Sequence, residues 1–147
     1  MRLPSGHQVF KDTPIYAGSN FTWGEATKGC RRKLEDLIID GKLQITARQI
    51  EEKIIATAIE LDIYRSRLGN RPIWVNSWYR PQKANFRVGG SKYSRHQYGD
   101  AVDIRSDYFE PYQIYNLLDR LHVQGGLAKY AKFVHVDFRG KLARWFG

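Results

Sequence analysis

The segment from Ser94 to Ile104, Ser-Arg-His-Gln-Tyr-Gly-Asp-Ala-Val-Asp-Ile, constrains this chain more than any other. It sets His96 and Asp103 seven residues apart across Gly99, where a loop runs into a strand. From Ala101 to Arg105 the residues alternate, so Ala101 and Asp103 take one face of that strand and Val102 and Ile104 the other. The same period returns in Phe133-Val134-His135-Val136-Asp137-Phe138. Val134, Val136 and Phe138 share an apolar face that should pack on helices, while Phe133, His135 and Asp137 share the opposite one. A carboxylate that faces a core must be paired or bind a metal. If the two strands are neighbours, Asp103, His135 and Asp137 point to one place, and His96 in the preceding loop completes a three-ligand set.

Cys30 is the only cysteine, which excludes an intramolecular disulfide and a cysteine-rich zinc site and leaves a metal to His, Asp and Glu. Catalytic zinc commonly takes three such ligands with water in the fourth position. That arrangement brings the pKa of the water to about 7 and polarises a substrate carbonyl, so the reaction class is hydrolysis of an amide, ester or phosphoester. His7 and His122 have no carboxylate or histidine at ligand spacing and are read as surface or hydrogen-bonded residues. Cys30 is read as an inert, small hydrophobe.

A chain of 147 residues fits one domain, burying about two-thirds of the surface its unfolded form exposes. Residues 1–20 show no sustained period and are expected to form an extended arm; residues 21–147 form the domain. Thr22 and Glu25 are spaced as a capping box, as are Thr46 and Gln49. A long helix should follow Thr46, with Ile50, Ile54, Ala58 and Leu61 on its buried face and Gly69-Asn70 at its end. Leu34, Leu37 and Ile38 suggest a short helix over 32–39 that Asp40-Gly41 would stop. Ile73 to Trp78 reads as a buried strand, Pro81 to Lys92 as a loop, and Pro111 as the opening of a helix with Ile114, Leu117, Leu118 and Leu121 inward, ended by Gly125-Gly126. Strands over 132–138 and 142–146 close the chain. The fold class is α+β: a small, mainly antiparallel sheet with helices packed on one face and the metal site on the exposed face. No stretch is long enough to span a bilayer, and no signal-peptide core stands at the N-terminus, which leaves the delivery route open. A monomer is expected.

Ser94-x-His96-x-x-Gly99-x-Ala101-x-Asp103, preceded by Tyr79-Arg80-Pro81 and Asn85 and followed by a histidine in a late strand, resembles the zinc D-Ala-D-Ala carboxypeptidases. Their superfamily includes peptidoglycan endopeptidases, D-Ala-D-Ala dipeptidases and the hedgehog signalling domain, and the likeness is closest to its small single-domain bacterial branch. The resemblance covers roughly residues 21–145. It implies that His96, Asp103 and His135 hold Zn2+, that the substrate is a peptidoglycan stem peptide cut near a D-amino acid, and that the protein acts on the cell wall. It also implies that Arg80 holds or polarises the substrate carbonyl, and that Ser94 orients Asp103 or its loop. Gly99 supplies a turn that a side chain would block.

One departure stands out. Relatives keep a carboxylate three residues before the second histidine ligand, or a histidine two before it, and here those positions hold Lys132 and Phe133. Asp137 is the candidate base because it shares a face with His135; its other role is to buttress a ligand imidazole. Tyr79, with a hydroxyl to place, is a candidate wall against the substrate, as is Trp78.

The formal net charge of +9 favours an anionic partner without choosing one. The chain is therefore read first as a zinc peptidase acting on stem peptides, as D,D-carboxypeptidase or endopeptidase. A catalytically silent zinc-containing wall-binding module is the second reading. A basic nucleic-acid-binding protein or metal-dependent nuclease is the third, and no nucleic-acid partner is expected under the first.

Overall fold

The computed structural model describes residues 1–147 and contains, in chain order, α1 (Trp23–Ala26), β1 (Leu37–Ile39), β2 (Lys42–Ile45), α2 (Ala47–Arg67), β3 (Trp74–Ser77), α3 (Gln82–Arg87), β4 (Ala101–Arg105), α4 (Pro111–Leu121), β5 (Gly126–Lys129), β6 (Val134–Asp137) and β7 (Ala143–Phe146). A 3-10 turn, Arg95–Tyr98, leads into β4. Both capping boxes form. Thr22 accepts from the Glu25 N–H while Glu25 accepts from the Thr22 N–H, and Thr46 and Gln49 do the same at the start of α2.

Five strands make the main sheet, in the order β3-β4-β6-β5-β7, and every pairing is antiparallel except β5 with β7. Register decides what shares a face. Val102 lies opposite Val136, which lies opposite Leu127, and Ile104 lies opposite Val134. These five residues have no exposed surface and belong to one core cluster with Ile50, Ile54 and Leu61 of α2 and Ile114 and Leu118 of α4. The helices thus cover one face, as α+β packing requires. On the other face Asp103 lies opposite His135, His135 opposite Ala128, and Ala128 opposite Trp145, a row that crosses four strands.

Gly99 joins the turn to β4. Its φ of +81° is left-handed, and a Cβ there would come within 3.0 Å of Ile50 and Ile54 of α2. A side chain would therefore push the His96 turn off the core helix that supports it.

The structure corrects several expectations. Residues 32–39 are not a helix: Leu37–Ile39 is a strand paired with Lys42–Ile45. The turn between them, Asp40-Gly41, has φ of +52° and +77°, the backbone of a two-residue hairpin, for which Asp-Gly is a strong signal. The segment after Pro81 is not all loop, because Gln82–Arg87 is helical. β3 is an edge strand, with Trp74 44% exposed, rather than a buried one. Gly125-Gly126 does not simply end α4, which stops at Leu121; Gly126 opens β5. The arm expected over residues 1–20 packs on the domain, as that reading allows: Leu3, Val9 and Ile15 belong to the core cluster.

Candidate metal centre

The turn before β4 delivers His96 with its tautomer set. Its Nδ1 lies 2.7 Å from the Trp78 carbonyl oxygen, which can only accept, so Nδ1 carries the proton and Nε2 keeps its lone pair. Nε2 is 3.3 Å from Asp103 Oδ2. Trp78 is itself anchored, its indole N–H donating to the Gly99 carbonyl at 2.9 Å. Ser94 caps the turn, its Oγ accepting from the His96 N–H at 3.3 Å.

His135 stands between two carboxylates. Nδ1 is 2.9 Å from Asp103 Oδ1, and Nε2 is 2.8 Å from Asp137 Oδ2. Asp137 has no exposed surface, and its oxygens also accept from the Gly126 N–H at 3.0 Å and from the Arg139 guanidinium at 2.8 and 2.7 Å. Gly126 makes this possible, for a Cβ there would sit 2.4 Å from Asp137 Oδ2. The Nε2 side of His135 is thus closed, and Nδ1 faces Asp103 and His96. One ligand atom from each of His96, Asp103 and His135 lies within 4.8 Å of the others.

Electrostatics make the same point. Burial pushes the Asp103 carboxyl up, but the hydrogen bond from His135 and the closeness of both imidazoles more than reverse it and hold the group well below the ordinary carboxylate range. Asp137 is likewise depressed: burial raises it, and Arg139 and His135 overcome that. For His135, burial disfavours the cation, yet Asp103 and Asp137 raise its pKa above the ordinary value. A positive charge at the centre of the row is therefore favoured. A proton on Nδ1 supplies it in part, and a divalent cation bound by Nδ1, the Asp103 carboxylate and His96 Nε2 would supply it fully. The donor set, two imidazoles and one carboxylate with each imidazole steadied through its second nitrogen, suits zinc.

The site is not on an open face. His96 is 3%, His135 8% and Asp103 9% exposed, at the floor of a cavity of about 520 Å3. Trp145 forms part of its wall, its ring centroid 5.2 Å from that of His135, an approach that the small Ala128 between them allows. Tyr130 and Phe133 stack at 4.6 Å beside it, and Trp145 donates to the Tyr130 hydroxyl at 3.0 Å. Neither Trp145 nor Tyr130 was marked by any sequence signal, because each reaches the site through strand order.

Three arginines line the cavity, two of them already neutralised. Arg95 grips Asp100 at 3.0 and 2.5 Å, and Arg139 grips Asp137. Arg80 has no carboxylate partner; Nη1 donates to Asn85 Oδ1 at 3.2 Å, and its buried Nε bonds to nothing. Burial lowers its pKa, while Asp103 opposes that shift. Among the expected site residues, then, Arg80, Ser94, His96, Asp103 and His135 come together. Two do not. Tyr79 is 1% exposed, with its hydroxyl accepting from the Glu35 N–H at 3.1 Å, so it packs inside rather than walling the cavity. Asp137 shares the face of His135 but lies behind that ring, under Gly126. That is a position from which it can buttress the His135 imidazole. Asp103 is the one carboxylate lining the cavity.

Comparison with known proteins agrees with this geometry. The family model Peptidase M15 matches residues 15–137, which includes every ligand candidate. The chain belongs to the peptidase M15 family. Its similarity to the zinc D-Ala-D-Ala carboxypeptidase of Streptomyces albus G is 34% identity over 92 residues, 63% of this chain and 32% of that protein. The chain therefore matches about a third of the length of that curated relative. The matched region is a peptidase M15 domain. No helix is long and apolar enough to cross a membrane.

Proposed function

We propose that this member of the M15 family hydrolyses amide bonds in peptidoglycan stem peptides, as a D,D-carboxypeptidase or endopeptidase, with zinc held by His96, Asp103 and His135. The observation that carries the reading is the convergence of those three side chains at the floor of one cavity, each imidazole committed through its other nitrogen to a fixed acceptor. Zinc so held would supply Lewis acidity toward a carbonyl and toward water near neutral pH.

The chain's own residues do the rest. Trp78 and Asp137 orient the two imidazoles, and Arg139 and the Gly126 N–H keep Asp137 ionised and in place. Arg80 lines the cavity without a carboxylate partner and would stabilise negative charge developing on the carbonyl oxygen. Trp145, Tyr130 and Phe133 shield the floor from bulk water, which strengthens those interactions. Action on the cell wall follows from the substrate class, and the +9 charge favours residence on an anionic polymer.

The cavity lacks a free carboxylate beside Asp103, and that observation favours a second reading, a zinc-containing module that binds wall peptides without cutting them. Mass spectrometry of muropeptides incubated with the zinc-loaded protein separates the two. Loss of a D-alanine or of a cross-link supports hydrolysis. Intact muropeptides that co-purify with the protein support the binding module.

A further inference from the structure

Residues Val75 to Trp78 line a cavity of about 730 Å3, and Pro72 to Val75 line another of about 700 Å3. Successive strand residues point to opposite faces. A cavity that touches each residue in turn therefore runs along the edge of a strand, not over one face. β3 is the outermost strand of its sheet, and no backbone group of Trp74–Ser77 bonds outside that sheet. Gly24, Glu25 and Gly29 border both cavities, which makes them one trench. Arg80 borders the first of them and the metal cavity alike, so the end of the trench lies one side chain from the metal centre. From Pro72 to Trp78 an extended chain covers roughly 20 Å at about 3.3 Å per residue.

The wall facing β3 is basic. Lys28, Arg31, Arg32 and Arg80 line it, and none of the four forms a salt bridge. Of the two acids that line the trench, Glu25 is held by the Thr22 N–H and hydroxyl, and Asp12 lies at the far end, away from Lys28 and Arg31. Lys28, Gly29 and Cys30 have φ of +51°, +70° and +63°, three left-handed residues in succession. Residues with a Cβ avoid that region, so the turn that carries Lys28 and Arg31 to the trench is strained.

We infer that the trench is a docking site for an acidic peptide, which pairs as an added strand on the free edge of β3 and sets its carboxylates against Lys28 and Arg31. Backbone pairing supplies affinity whatever the sequence, and the cations select acidic side chains. One end of the peptide passes Arg80 into the metal cavity; only that course rests on the peptidase reading.

The test uses the full-length, zinc-loaded protein and two labelled hexapeptides ending in D-Ala-D-Ala, one with two glutamates upstream and one with glutamines in their place. Bound glutamate peptide should slow amide exchange across residues 72–78, and Lys28→Glu with Arg31→Glu should weaken its binding about tenfold, the size expected of a lost charge pair or two. The glutamine peptide should lose far less. Both substitutions lie on exposed side chains, and an unchanged zinc content reports an intact fold. Protection confined to the segments around His96 and His135, or equal affinities for parent and variant, would overturn the inference. Hydrolysis of a blocked tripeptide ending in D-Ala-D-Ala, too short to reach the trench, is measured beside it. If the tripeptide survives while residues 72–78 are protected, the peptidase reading fails and the docking site stands.

Discussion

Two buried histidines flank Asp137, and they have opposite chemistry. His122 has no exposed surface; its Nδ1 is 2.7 Å from the Tyr64 hydroxyl and its Nε2 2.7 Å from the Asp137 carbonyl oxygen. Burial lowers its pKa, and the bond to Asp137 only partly offsets that, so it stays neutral. His135 is nearly as buried but lies between the carboxylates of Asp103 and Asp137, and its pKa is raised. Burial alone does not make a metal ligand. What separates the two rings is that both nitrogens of His122 are consumed by neutral groups, whereas one nitrogen of His135 faces an anion with room for a cation.

The contrast is broken most directly by removing ligands. His96→Ala should abolish both zinc binding and hydrolysis while the helical circular dichroism remains, because the turn before β4 lies outside the helices. Full zinc content in that variant would remove His96 from the ligand set.

Asp137→Asn should weaken zinc about 10- to 100-fold, the usual cost of losing a group that steadies a ligand imidazole. Hydrolysis should then recover as zinc is raised. A turnover that stays low at saturating zinc would instead make Asp137 a participant in proton transfer.

His122→Phe removes a buried hydrogen-bonded pair and leaves the Tyr64 hydroxyl without its imidazole partner. Thermal unfolding should report a loss of about 1–3 kcal/mol, with zinc stoichiometry unchanged. Reduced stoichiometry would mean that the two histidines are coupled more closely than their partners suggest.

The smallest effect is also the sharpest in sign. In zinc-free protein the raised pKa of His135 means that its contribution to stability is fully present below the ordinary histidine value of 6.5 and is lost as pH rises through its folded pKa. The lowered pKa of His122 works the other way: its contribution is present above 6.5 and is lost as pH falls toward its folded pKa. Denaturant titrations of the His122→Phe and His135→Phe variants across this range should therefore show stability differences from the parent with opposite slopes. Parallel slopes would contradict the assignment of charge.

Much of the centre was legible because strand alternation is a strict rule. Once Asp103 and His135 were placed on strands, their faces followed, and the register puts them directly opposite one another. Residue type cannot show a backbone acceptor, so the Trp78 carbonyl that orients His96 left no trace in the sequence. Strand order was equally silent, and without it Trp145 and Tyr130 had no reason to be placed over the metal floor. The same limit applies to Asp137, whose face was correct but whose cover, Gly126 of β5, belonged to a strand hidden behind a Gly-Gly that reads as a helix stop. The 32–39 segment failed for a simpler reason: Leu34, Leu37 and Ile38 fit a helical stripe, and the hairpin meaning of Asp40-Gly41 outweighed it.

The central claim is that His96, Asp103 and His135 hold the zinc of a working peptidase. It is tested most directly by measuring zinc content and D-alanine release on the same preparation, for the parent and for Asp103→Ala. The expected result is one zinc per parent chain with release of D-alanine or cleavage of a stem peptide, and neither in the variant. One zinc per chain in Asp103→Ala, or hydrolysis by parent protein stripped of metal, would contradict it.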